Sequence, residues 1–210
     1  MKTLKKTLCV VLAVVMAVGT LALTATATNF TDDADITYDE AVEVLAGLGV
    51  FNGSDNNMFE PTRSIKRSEV AAVLYRIVTG DVDNSQAGLY KDELGKIKDV
   101  DENKWYAGYV GYCVNAGLIK GDENDNFNPD ASVTGYEVLA MILRAVGYDK
   151  ENEFTGSAWK TNVGSLARKL GVTKNINEST LNSATPREQV AEMIFQTVAN
   201  VPQVIYTPAM

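Results

Sequence analysis

The sequence predicts an all-α fold built from three helix–loop–helix repeats. Three observations carry that prediction: a gap-free internal duplication at an offset of 68 residues, apolar side chains at helical spacing on both sides of each loop, and a partial third copy. One such helix pair cannot cover its own apolar face, so several must pack together.

Before the first repeat stands a leader. Lys2, Lys5 and Lys6 precede an apolar run from Leu8 to Leu23 and the small-residue stretch TATAT, the layout of a signal peptide with cleavage expected after Ala27. Gly19 and Thr20 break the run, which argues against a spanning helix of ~20 residues. Without residues 1–27 the chain loses three lysines and no acid, leaving 16 Lys+Arg against 27 Asp+Glu, a net charge of −11. A chain so acidic should repel nucleic acid and, once the leader is cut, anionic membrane surfaces. Cys113 is the one cysteine left, so no internal disulfide can form, and together with the lysine-rich leader this points to a bacterial exterior. The sequence holds no histidine, which removes the commonest general base and the commonest zinc ligand.

The duplication runs from Tyr38–Arg76 onto Tyr106–Arg144, with identities that include Gly49/Gly117, Gly53/Gly121, Phe59/Phe127, Pro61/Pro129 and Glu69/Glu137. In the first unit, Thr37 and Glu40 read as a capping box ahead of an apolar stripe of Tyr38, Ala41, Val42 and Leu45, and Gly49 ends the helix. The second helix is expected from near Ile65, burying Val70, Val73, Leu74 and Ile77. The third copy is divergent. Trp159 and Gly171 follow Trp105 and Gly117 by 54 residues, the loop is shortened, and REQVAEMIFQTV lays Val190, Met193 and Ile194 over Val138, Met141 and Ile142. The expected organisation is a leader at 1–27, repeats at 28–80, 96–149 and 150–200, a polar linker at 81–95 and a tail at 201–210.

The loops NGSDNNMFEP and KGDENDNFNP resemble calcium loops in composition but not in spacing. An EF-hand loop needs Gly at its sixth position and Glu at its twelfth. Counted from Asp122 these are Phe127 and Val133; counted from Asp55 they are Glu60 and Lys66. Neither a metal nor any other cofactor is expected. The loops read as shaped connectors, with Asp and Asn for the turns and Phe59 and Phe127 as plugs into the core.

Taken in order, the second unit reads D-V, W-Y, A-G-L-I-K-G, F-N-P and V-T-G-Y-E. This resembles the S-layer homology repeat, whose pattern runs Asp-Val, Trp-Ala, Gly-x-x-Asp-Gly-x-Phe-x-Pro and Ile-Thr-Arg-Ala-Glu. The resemblance covers all three repeats, with the third partial. It implies a pseudo-threefold arrangement around a central three-helix bundle formed by the motif-bearing helices, with grooves between the outer prongs. It also implies a non-catalytic cell-wall anchoring module that binds secondary cell-wall polysaccharide, often pyruvylated, on a Gram-positive-type envelope.

The resemblance points to Arg67 in IKRSE, with Lys66 in place of the motif threonine. A planar guanidinium suits the carboxylate of a pyruvate ketal, and a helix N-terminus adds free N–H groups and the positive end of a dipole. Repeat two has Gly135 at the arginine position, so its groove is either silent or meets sugar through Tyr136. In repeat three, ATPREQ allows two registers. Capping favours Thr185 as N-cap with Glu188 as its partner, whereas the apolar pattern puts Arg187 at the arginine position; burial outweighs a cap of ~1 kcal/mol, so the second is preferred. Asp32 and Asp99 match the repeat's opening aspartate, where a capping role competes with sugar hydroxyls. Gly53 and Gly121 serve the turn or admit a sugar, Trp105 and Trp159 belong to the core or stack on a sugar, and Glu69 and Glu137 read as caps. The alternative function is an envelope structural subunit that self-associates in a surface layer. A glycosidase with two carboxylates is disfavoured, because no independent catalytic scaffold is present.

Overall fold

Residues 30–202 are described by the computed structural model; the leader at 1–27 and the tail from residue 203 lie outside the described residues. Among the described residues six α-helices follow in order: α1 (Asp39–Gly47), α2 (Arg67–Thr79), α3 (Ala107–Asn115), α4 (Gly135–Ala145), α5 (Trp159–Lys169) and α6 (Arg187–Asn200). Each repeat contributes two, which gives the all-α helix–loop–helix pattern its observed form.

The first helix of every repeat stops by the same device. Gly49, Gly117 and Gly171 take left-handed φ values of 73°, 72° and 78°, a conformation nearly free of strain only for glycine. The turned chain then sends the Val50, Leu118 and Val172 N–H groups back to the Leu45, Cys113 and Ala167 carbonyls. Phe59 and Phe127 are fully buried, as plugs should be, each contributing about 2–3 kcal/mol by burial.

A closed ring of backbone hydrogen bonds ties the repeats together ahead of their second helices. Ile65 N–H donates to the Thr185 carbonyl (3.0 Å), Thr185 N–H to Val133 (2.9 Å), and Val133 N–H to Ile65 (3.3 Å). Isolated bridges Ser64–Pro186, Lys66–Ser132 and Thr134–Ala184 flank it. Three equivalent segments that each donate to one neighbour and accept from the other define a pseudo-threefold axis. Leu74, Ile142 and Ile194 of α2, α4 and α6 converge further along it.

Helix pairing differs from the hairpin picture that the sequence suggests. The second helix of each repeat packs on the first helix of the next: α2 on α3, α4 on α5, and α6 back on α1. Cyclic exchange closes the structure, and it explains a misread cap. Thr37 and Glu40 form no capping box; α1 begins at Asp39. The Glu188 carboxylate, from α6, accepts from the Thr37 N–H at 2.7 Å.

Residues 81–95, expected as a polar linker, instead strap α3. A Cβ on Gly108 would lie 1.9 Å from the Ala87 carbonyl oxygen, and one on Gly111 1.9 Å from that of Tyr90, so the strap lies directly on the helix backbone. Its start is clasped by buried Asp81, whose carboxylate accepts from the Tyr75 hydroxyl, the Ser85 N–H and hydroxyl, and the Gln86 N–H.

Candidate functional site

The N-termini of α2, α4 and α6 set the candidate site, and their register places Arg67, Gly135 and Arg187 at the first helical position of each. The apolar register therefore holds in repeat three, and Thr185 belongs to the axial ring instead of capping a helix. Glu69 accepts from the Lys66 N–H at 2.8 Å. Glu137 accepts from the Thr134 N–H at 2.8 Å, and the Thr134 hydroxyl receives the Glu137 N–H, completing a capping box in repeat two.

The helix N-termini are not open to an anion, contrary to the sequence expectation. The N–H groups of Arg67 and Ser68 donate to the carbonyls of Ala131 and Pro129, and those of Arg187 and Glu188 to Arg63 and Pro61. With these first-turn donors taken by the neighbouring repeat, recognition of a negative group falls to side chains.

Arg67 reaches into repeat two. Its Nη2 donates to the Lys120 carbonyl at 2.7 Å, and its Cζ lies 5.2 Å from the Phe127 ring centroid. Nη1 stands 3.8 Å from Glu137 Oε1, beyond hydrogen-bond distance. Burial lowers its pKa, with Glu137 opposing, from a value high enough that the cation persists at neutral pH. It lines a cleft of about 270 Å³ together with Gly121, Asp122, Asn128, Ser132 and Glu137.

Arg187 repeats the arrangement against repeat one. Its Nε donates to the Phe59 carbonyl (2.9 Å) and its Nη2 to Asn52 (2.5 Å), with Cζ 5.0 Å from the Phe59 ring. Burial lowers its pKa to about 10, partly offset by Glu69 3.8 Å away. The third interface has no counterpart. A Cβ on Gly135 would come within 2.6 Å of Leu181 Cδ2, so the shortened loop of repeat three fills the space that an arginine would cross.

The remaining candidates scatter. Asp32 and Asp99 cap no helix: both carboxylates clamp the loops, accepting from Phe59 and Glu60 N–H (2.7 Å each) and from Phe127 and Asn128 N–H (2.6 and 2.7 Å). Asp122 likewise holds its own loop through the Asn124 and Asn126 N–H groups. Gly53 and Gly121 give room to a neighbour, since a Cβ would press on Phe30 and Ile97 at 2.9 and 2.8 Å. Lys66 pairs with Asp130 at 2.8 Å on the surface. Tyr136 is half-buried against Trp159, under the Lys160 ammonium. Trp105 is 59% exposed, resting on Tyr106 and Tyr109, so its neighbours did not draw it into the core.

Sequence reasoning missed Arg63, which turns out to bridge Glu60 and Glu69 beside Arg187. The signal was present, because the 68-residue offset sets Arg63 against Ala131 and Glu60 against Asn128.

Interlocked helical repeats, loops stapled by carboxylates, and a cleft between repeats one and two together define a ring-closed helical repeat module. The S-layer homology domain profile matches residues 29–71 and 96–139, so these two segments are similar to S-layer homology repeats, and the third helix pair follows the same plan. It is similar to the "Surface layer protein" of Brevibacillus choshinensis (27% identical over 201 residues, 95% of this chain and 17% of that protein). It is also similar to the "Cell surface protein" of Thermoanaerobacter kivui (28% over 208 residues, 98% and 26%). A third relative is the "Amylopullulanase" of Thermoanaerobacterium thermosulfurigenes (29% over 176 residues, 71% and 9%). The chain spans 26% or less of the length of each of these relatives. The two matched segments carry the S-layer homology pattern, and two of these relatives are named for the surface layer or cell surface.

Proposed function

We propose that the module anchors by binding an anionic secondary cell-wall polysaccharide, with a pyruvate ketal carboxylate received in the cleft between repeats one and two. The observation that carries this reading is Arg67: a mostly buried cation lining an open cleft, with Nη2 committed to Lys120 and Nη1 without a hydrogen bond among the described residues. Desolvation strengthens a guanidinium–carboxylate contact, and a planar fork suits a ketal acid better than a point charge does. Ser132 and Asn128 in the same cleft supply neutral polar groups for sugar hydroxyls. The surrounding protein is acidic, so attraction is local to the cleft.

Retention on purified walls tests the reading. Binding should fall sharply when mild acid removes ketal-linked pyruvate, and equal retention on treated and untreated walls would overturn it. Leu89, 74% exposed, and Trp105 favour a second reading in which the same module also self-associates in a surface layer. A rise in light-scattering mass with concentration would support that reading.

A further inference from the structure

The three inter-repeat grooves follow one plan, yet they are not equally open. In the groove between repeats one and two, Asn128, Ala131 and Glu137 all line the cleft that Arg67 enters. Repeat one carries Glu60, Arg63 and Glu69 at the corresponding places. There the Arg63 guanidinium spans the groove, with Nε 2.9 Å from Glu60 Oε2, Nη2 2.7 Å from Glu69 Oε1 and Nη1 3.0 Å from Glu69 Oε2. Arg63 thus joins the two walls that stay apart where alanine stands at position 131. Beneath it Arg187 is buried, its Nε and Nη2 spent on loop carbonyls. In the groove between repeats two and three, Leu181 is fully buried against Gly135, which stands where Arg67 and Arg187 stand in the other two.

We infer that Arg63, held by Glu60 and Glu69, is a built-in plug that closes the groove between repeats three and one, so that each chain offers one glycan-binding cleft, at Arg67. The inference rests on the reading above and adds its stoichiometry and the residues that set it. The plug is itself a guanidinium–carboxylate pair, the same chemistry as the proposed ligand contact. An incoming acid must therefore displace two internal carboxylates that are already in place.

Calorimetric titration with the methyl glycoside of a pyruvylated hexose tests this. Wild type should bind one equivalent, and Arg67→Ala should weaken binding at least tenfold. The double variant Glu60→Asn/Arg63→Ala, which copies repeat two, should bind a second equivalent. The reverse transplant, Asn128→Glu/Ala131→Arg, should plug the open cleft and lower affinity at least tenfold while leaving the far-ultraviolet dichroism unchanged. Two equivalents on wild type, or one on the opened variant, would overturn the plug while leaving wall-glycan binding intact. Absence of any binding to wild type would instead overturn the proposed function, and the plug with it.

Discussion

Asp32→Ala should be among the most destabilising single changes in the first repeat. Asp32 is 8% exposed, and its carboxylate accepts two backbone N–H groups at 2.7 Å each, from Phe59 and Glu60. Hydrogen bonds to a charged group contribute about 1.5–3 kcal/mol each, and a buried donor left unpaired forfeits its desolvation as well. Phe59 N–H is enclosed and bears the full loss, whereas Glu60 N–H is part-buried and recovers some through water. The sum is roughly 3–4 kcal/mol, set against a total stability of about 5–15 kcal/mol. For a domain of this size that corresponds to a fall in Tm of about 6–16 °C. Asp99→Ala, at an exposed carboxylate with the same partners in repeat two, should cost about half as much. Guanidinium unfolding of both variants gives the comparison. A loss below about 1 kcal/mol for Asp32→Ala, or a larger loss for Asp99→Ala, would refute the clamp.

Other consequences concern the cleft, the strap and the clasp. Arg67→Ala should weaken wall retention at least tenfold and Lys66→Ala much less, since Lys66 spends its charge on exposed Asp130; co-sedimentation with purified walls reads the difference. Gly111→Ala should free the strap, because its Cβ meets the Tyr90 carbonyl at 1.9 Å, and limited proteolysis within 81–95 should then speed up. Burial alone would raise the Asp81 carboxyl, but donors led by the Tyr75 hydroxyl and the Gln86 N–H hold it down to about 2. A carboxyl depressed on folding contributes stability that is full above its unfolded pKa, near 4, and is lost as pH falls toward 2. An acid titration of unfolding free energy should therefore be shallower between pH 4 and pH 2 for Asp81→Asn than for wild type, and parallel curves would contradict the clasp.

Much of the architecture was legible in the sequence because it is written locally and more than once. Gly49, Gly117 and Gly171 mark the helix stops, Phe59 and Phe127 the plugs, and the apolar spacing of Val190, Met193 and Ile194 set the register of Arg187 against the competing cap at Thr185. What periodicity cannot tell is which apolar face meets which. The pairing of α6 with α1, and with it the Glu188 carboxylate at Thr37 151 residues away, is a property of ring closure and not of any window along the chain. The helix N-termini were misjudged for the same reason, since the carbonyls that occupy them belong to other repeats. Trp105, open in the sequence between core and surface, lies on the surface, because apolar neighbours in sequence do not ensure neighbours in space.

The central claim, that Arg67 meets an acidic glycan in its cleft, is tested most directly by following arginine side-chain Nε–H resonances during titration with a pyruvylated wall fragment. The account predicts that the Arg67 resonance moves first and saturably, that Arg187 stays nearly still, and that the shifts disappear when the fragment is stripped of its ketal acid. Saturable shifts confined to other residues, or an unchanged response to the stripped fragment, would contradict it.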